Sequence, residues 1–140
     1  MDAALDIMKE YTQIKRWYIG GHSLGGAMAA NFAAENSDKF KGIILLASYP
    51  TKDLSSSNLH VLSIYGSNDQ VFNLDKYNKY RLLMPTEFTE TCIEGGNHAQ
   101  FGDYGLQKGD GEATISAEEQ WKITSSEVLK FIGKYKSPTP

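Results

Sequence analysis

A single cysteine, Cys92, is all the thiol chemistry the 140-residue sequence holds. One thiol excludes an internal disulfide and any metal site built on several thiolates. Cys92 stands in an apolar stretch, so the expectation is a buried, inert core side chain. Long apolar runs are also missing. The longest, Ile43-Ile44-Leu45-Leu46-Ala47, is far too short to cross a bilayer. Positive charge is scarce: 14 Lys and Arg against 17 Asp and Glu leave a net charge of −3. That balance gives no footprint for nucleic acid or anionic lipid. The first residues, Met-Asp-Ala-Ala-Leu-Asp-Ile-Met-Lys-Glu, lack the basic and apolar regions of a signal peptide. A cytoplasmic protein fits the chain as it stands, and so does an extracellular one without disulfides, so the compartment stays open. Repeats and low-complexity tracts are absent, and only Ser137-Pro138-Thr139-Pro140 reads as a frayed, disordered tail.

What is present suffices for one core. Apolar residues make up 41% and charged residues 22%, an ordinary globular balance, and residues 1–136 read as one domain. Residues 2–14 place Ala4, Leu5, Met8, Tyr11 and Ile14 on one face of an amphipathic helix. Trp17-Tyr18-Ile19 is a short buried strand ending at Gly20-Gly21. A slim helix of small residues follows from Leu24 to Glu35, able to lie close to a sheet. The run 43–47 suits a strand covered on both faces, and Tyr49–Asn58 is loop-like. His60–Tyr65 is the next strand. Leu74 to Leu83 is helical, with Leu74, Tyr77 or Asn78, and Arg81-Leu82 at helical spacing, and Pro85 stops it. Glu87–Ile93 alternates in part, and a glycine-rich loop then runs to about Gly111. The last helix, Ser116–Lys134, opens in capping-box register and shows Trp121, Thr124 or Ser125, Val128, Leu129 and Ile132 on one face. Buried runs alternating with helices predict an α/β fold, a mostly parallel sheet of about four strands flanked by helices.

Ligands of such sheets bind beyond the carboxyl ends of the strands, and three strand ends here carry reactive side chains. Gly21-His22-Ser23-Leu24-Gly25 follows a strand and opens a helix, the context in which Gly-x-Ser-x-Gly forms a nucleophile elbow. Gly21 and Gly25 leave room for the backbone to fold back where a β-carbon would clash. A serine hydroxyl needs a base to take its proton, and a carboxylate on the far side of an imidazole fixes the tautomer. Asp69, in Gly66-Ser67-Asn68-Asp69, and His98, in Gly95-Gly96-Asn97-His98, complete the order Ser, acid, His. Each has a plainer reading: a glycine turn, an aspartate bonded to its own turn, a loop histidine. Order and position at strand ends favour the triad. His22 reads as a supporting residue near the site, and His60 as structural. Phe101–Glu112, with Asp103, Asp110 and Glu112, lacks the regular oxygen alternation of a calcium loop and reads as a solvated loop at the site entrance.

These motifs together resemble the α/β-hydrolase superfamily. Asn97-His98-Ala99-Gln100-Phe101-Gly102-Asp103-Tyr104-Gly105 resembles its dienelactone-hydrolase-like branch. The resemblance covers about residues 3–134. It implies Ser23 as nucleophile, Asp69 as acid, His98 as base and the backbone N–H of Leu24 as an oxyanion donor. It further implies an acyl-enzyme route with no cofactor and no metal. His22, Gln100 and Tyr104 are candidates for contact with a small-molecule acyl substrate.

The front departs from the superfamily pattern. Full members place several strands before the elbow, and a loop among them supplies a second oxyanion N–H. The chain resembles the C-terminal half, a truncated α/β-hydrolase fold lacking the N-terminal strands. The strand 17–19 would then lie at an open edge and favour a homo-oligomer or other association through it. Two functions stand at this point: a serine hydrolase acting on a small or medium ester, and a catalytically impaired fragment serving as a binding or assembly module. About a dozen residues separate the strands 43–47 and 60–65, too few for a large cap domain.

Overall fold

Four strands lie side by side in chain order, and every neighbouring pair is parallel: β1 (Tyr18–His22), β2 (Gly42–Leu46), β3 (His60–Gly66) and β4 (Thr89–Ile93). This is the arrangement among residues 3–136, which the computed structural model describes. The tail expected at 137–140 lies outside the described residues. Helices α1 (Ala3–Glu10), α2 (Leu24–Glu35), α3 (Leu74–Tyr80) and α4 (Ala117–Lys134) flank the sheet. Single 3-10 turns stand at Arg81–Leu83 and Ala99–Phe101.

Alternation along the strands builds two cores. Ile43, Leu45 and Val61 face the larger one, with Ala30, Phe32 and Ala33 of α2, Tyr77 of α3, and Ala4, Leu5 and Met8 of α1 against it. Ile44, Leu46, Leu62 and Ile64 face the other, which Phe131, Ile123 and Val128 of α4 close. Successive residues point to opposite faces of a strand, so a continuous run such as 43–46 is stable only between two helical layers. Ile43, Leu45, Leu62 and Ile64 are each wholly removed from water. Each such burial is worth about 1.5–3 kcal/mol.

Several expectations shift. The first helix ends at Glu10; Tyr11 and Ile14 lie beyond it, 43% and 41% exposed, where the chain turns at residues 12–13. The first strand continues through Gly20-Gly21 to His22, and none of its residues is fully buried, since β1 is an edge of the sheet. The face that α4 buries is rotated by one residue. Gln120 and Phe131 are buried, while Trp121 and Leu129 are 37% and 71% exposed. Gln120 turns inward because its amide serves loop groups that no apolar side chain could satisfy.

Cys92 is exposed, which overturns the core reading. It lies on β4, the opposite edge, where only Ile93 is buried. What desolvation remains, with Glu94 and Glu90 nearby, raises the thiol pKa above its ordinary value. Cys92→Ser is therefore expected to change stability by less than about 1 kcal/mol. Ile64→Ala should cost about 2–5 kcal/mol. Urea unfolding of the two variants measures the contrast.

Candidate active site

Ser23 occupies the single residue between β1 and α2, with φ 54° and ψ −124°. A non-glycine residue at positive φ is strained, and neighbours must hold it there. Three contacts do so. Its N–H donates to Leu46 O at 2.9 Å, extending the β1–β2 ladder by one rung. Its carbonyl accepts from Gly26 N at 3.0 Å, the first turn of α2, and from the hydroxyl of buried Ser48 at 2.7 Å. Ser48 follows Ala47, which is also at positive φ, 47°. A β-carbon on Gly21 would lie 2.6 Å from the Gly25 carbonyl carbon, and one on Gly26 would lie 2.6 Å from both Gly21 O and Ser48 Cβ. At Gly25 it would meet nothing within 4 Å. The close approach thus rests on Gly21 and Gly26, and the expectation for Gly25 is corrected: its Cα faces open space at the outer side of α2.

Asp69 and His98 meet across the ends of β3 and β4. His98 Nδ1 lies 2.7 Å from Asp69 Oδ2, and the two side chains are 2% and 1% exposed. An ionised carboxylate only accepts, so Nδ1 carries the proton and Nε2 is left as an acceptor. The other oxygen, Asp69 Oδ1, accepts from Val71 N at 2.9 Å and Phe72 N at 2.7 Å. Asp69 is therefore both the turn former and the histidine's partner. Ser23, Leu24 and His98 border one cavity of about 460 Å³, walled also by Ala47, Tyr49 and Phe72. Among the described residues no hydrogen bond joins Ser23 Oγ to His98. Such bonds are often long without substrate. The cavity opens toward the N-terminus of α2, where the dipole favours negative charge.

The remaining candidates divide. The His22 ring lies 4.5 Å from that of His98, and its Nδ1 pairs with the Tyr104 hydroxyl. Among the described residues His22 Nε2 is buried without a hydrogen-bond partner. Burial first, and His98 second, lower the His22 pKa below its ordinary 6.5. Gln100 is placed elsewhere: its amide donates to Ile115 O at 3.2 Å and Gln120 Oε1 at 3.0 Å, so it braces the loop and does not line the cavity beside Ser23. His60 stacks on Tyr135 at 3.5 Å, far along the chain from these groups.

Sequence reasoning missed the supports. Gln120, fully buried, accepts from Asn97 N at 3.1 Å and donates to Asn97 O at 2.8 Å, clamping the segment before His98 to α4. Asp110, expected in solvent, accepts from Ala99 N, Gln70 N and Gly111 N at 2.8, 3.3 and 2.8 Å. Its flanking glycines, Gly109 and Gly111, were the available signal, because an aspartate between glycines readily reaches nearby backbone N–H groups. No group of three or more His, Cys, Asp or Glu able to hold a metal ion occurs among the described residues.

The fold is a parallel sheet flanked by helices, with Ser23, Asp69 and His98 beyond the carboxyl ends of β1, β3 and β4, and comparison with known proteins agrees with that fold. The model of the alpha/beta hydrolase family matches residues 1–122, and the chain belongs to that family. No curated protein matches in sequence. Among solved structures, the chain is similar to a predicted CIB-like hydrolase from Thermoplasma acidophilum, with 23% identity and a TM-score of 0.64 over 92% of this chain. It spans 57% of that protein's length. It is also similar to Est1E from Butyrivibrio proteoclasticus, with 15% identity, a TM-score of 0.65, and coverage of 94% of this chain and 67% of that one. A third likeness is to a carboxylesterase structure from Nitrososphaera gargenis, with 14% identity, a TM-score of 0.60, and coverage of 94% and 71%.

Two outcomes follow from this geometry. Gly25→Ala should fold and behave as the parent, whereas Gly26→Ala should lose stability by about 1–3 kcal/mol through overpacking, as read by thermal unfolding. The second concerns pH. His22 and His60 both bind protons more weakly folded than unfolded, chiefly through burial. Their contribution to stability is full above the unfolded value of 6.5 and is lost as pH falls through the lower folded values. The urea midpoint should therefore drop between pH 7.5 and 5, and His22→Gln should drop less. Equal drops would show that His22 titrates alike in both states.

Proposed function

We propose that the site is that of a serine hydrolase, cleaving a small or medium acyl ester through an acyl-enzyme. The observation that carries this reading is the buried Asp69–His98 pair bordering the same cavity as Ser23 on its strained turn. In the reaction, His98 Nε2 takes the proton from Ser23 Oγ as Oγ bonds to the ester carbonyl carbon. The carbonyl π electrons move to its oxygen, which faces the start of α2, with the Leu24 N–H as donor. Collapse of this intermediate re-forms the carbonyl and breaks the bond to the alcohol oxygen, which receives the proton from His98. Water then attacks acyl-Ser23 by the same path, giving up its proton to Nε2. The acid is released and Ser23 regains its proton. Asp69 stays ionised throughout and stabilises the imidazolium.

The cavity supports the choice of substrate class. Its volume is in the lower half of the range for small-molecule sites; Leu24, Ala27, Ala47, Tyr49 and Phe72 give it an apolar wall, with Thr51, Asn73 and Lys76 on its polar side. That suits an uncharged acyl chain. The Nitrososphaera neighbour is a carboxylesterase, and the Butyrivibrio neighbour has been solved with ferulic acid bound, which agrees with an ester or its acid product.

A fluorophosphonate probe tests the reading directly. Labelling is expected on Ser23, abolished in Ser23→Ala and sharply reduced in His98→Ala. With a p-nitrophenyl ester of a short acid, Asp69→Asn should lower kcat on the order of 10⁴-fold. Absence of labelling at saturating probe would overturn the hydrolase reading and leave a binding or assembly role.

A further inference from the structure

We propose that Asp110 is a positioning residue that fixes the separation of Asp69 and His98 by holding the two loops that carry them. The inference rests on the hydrolase reading only for its consequence in turnover; its geometric content stands apart from that reading.

The geometry is specific. One carboxylate accepts the backbone N–H that follows each member of the pair: Gln70 N, next to Asp69, on Oδ1 at 3.3 Å, and Ala99 N, next to His98, on Oδ2 at 2.8 Å. The two oxygens of a carboxylate are held at a fixed spacing by covalent geometry, so the two loop backbones are held at a fixed spacing too. A charged acceptor strengthens such bonds; the one to Ala99 is short, and the one to Gln70 is the longer and weaker of the two. Oδ1 also accepts Gly111 N at 2.8 Å, which sets the carboxylate's own direction.

The adjoining backbone does the same job in register. Asn97 Nδ2 donates to Gly111 O at 2.8 Å, from the loop of His98. Asn68 Nδ2 donates to Glu112 O at 2.9 Å, from the loop of Asp69. Residues 110–112 are therefore a splint stitched twice to each loop. The splint lies so near the loop of Asp69 that a β-carbon on Gly111 would collide with Asn68 O. Gln120 clamps only the histidine side. Asp69 Oδ1 orders only its own turn. The two loops also bond to each other, Asn68 N to Gly96 O at 2.9 Å and Gly95 N to Ser67 Oγ at 2.8 Å, nearer the strand ends. Asp110 reaches both from outside them, and it does so at the residues next to Asp69 and His98.

The consequence lies in the imidazole. Loops free to drift apart lengthen the 2.7 Å bond that keeps the His98 proton on Nδ1, and the ring then samples the other tautomer, whose Nε2–H cannot accept from Ser23. The proposed effect is on kcat, with KM nearly unchanged, because Leu24, Ala47 and Tyr49 stand on other elements, and Val71 and Phe72, the walls that share the loop of Asp69, keep their own bonds to Asp69 Oδ1.

The test uses Asp110→Ala and the isosteric Asp110→Asn, each in the full chain and each checked for folding by circular dichroism. The first readout is the His98 tautomer by long-range ¹⁵N–¹H correlation, which needs no turnover. The parent should show Nδ1–H alone, and both variants a mixture, larger for Ala. The second readout is ester hydrolysis per probe-reactive serine, where kcat should fall about tenfold for Asn and about a hundredfold for Ala, with KM within twofold, the scale expected of small misplacements. Folded variants with the parent's tautomer would overturn the proposal, as would failure of both to fold, which would make Asp110 a residue of the fold alone. A parent without turnover whose variants still lose the Nδ1–H form would remove the hydrolase reading and leave the positioning role standing.

Discussion

The structure depends first on how a buried carboxylate is kept stable. Asp69 is almost wholly removed from water, and an ionised carboxylate in such a place costs several kcal/mol unless donors surround it. Three donors do. Two of them, Val71 N and Phe72 N, belong to the turn that follows Asp69, so the carboxylate is aimed by its own backbone. The third is His98, and it arrives from another loop. Because β3 and β4 are adjacent and parallel, both loops leave the sheet at the same end, side by side. An antiparallel pair would have put them at opposite ends. The sheet topology is thus the precondition of the pair, and the pair's burial is what makes its alignment sensitive to every support around it.

A second constraint, the close seat of α2 on the sheet, sets where Ser23 stands. Gly21 and Gly26 are backbone against backbone, and buried Ser48 fills the remaining gap with its hydroxyl turned to the Ser23 carbonyl. The strained φ of Ser23 persists because strand ladder, helix turn and Ser48 all fix it at once. Two positive-φ residues, Ser23 and Ala47, therefore flank one cavity. Strain on both sides of it comes from the same packing: β1 and β2 must each turn sharply where their ladders end.

The fold was legible where a single period governed the residues. Ile43–Ala47 read as a strand covered on both faces and His60–Tyr65 as the next strand, each within a residue of β2 and β3, and Leu24–Glu35 read as a slim helix to the residue. Legibility failed where the partner lay far away in sequence. Gln120 looked like the polar side of α4, because nothing near it indicates the Asn97 backbone it satisfies. Cys92 looked apolar in context, yet an edge strand offers little cover. At the candidate site, order and spacing pointed to Ser23, Asp69 and His98; Asp69 pairs with His98, and Ser23 and His98 border one cavity. Order and spacing did not point to their supports. Asp110 was read as part of a solvated loop because the loop lacks the oxygen alternation of a calcium site, and the donors it serves, Gln70 and Ala99, stand 40 and 11 residues away. Gly25 was credited with a role that Gly26 fills, since which of two neighbouring helix glycines faces the sheet is settled only by the helix's rotation on it.

Two imidazoles within 4.5 Å raise the question of which one can take a proton. Distance alone does not distinguish them, since His22 is the neighbour of Ser23 in the chain. Their surroundings do. His98 has a buried carboxylate on Nδ1, so a positive charge formed on its ring is met by a negative one. His22 has a phenol on Nδ1 and, among the described residues, no hydrogen-bond partner on Nε2, and burial holds its proton affinity down. Two positive rings about 4 Å apart would repel by about 4 kcal/mol at the effective dielectric of a protein surface. A charge on the His98 ring therefore disfavours a second one on His22. In the proposed reaction His98 would be charged in the transition state, and a neutral His22 beside it offers a polarisable face without competing for the proton. Tyr104 occupies His22 Nδ1, and no carboxylate bonds to the His22 ring among the described residues, so the ring that has a carboxylate partner is that of His98.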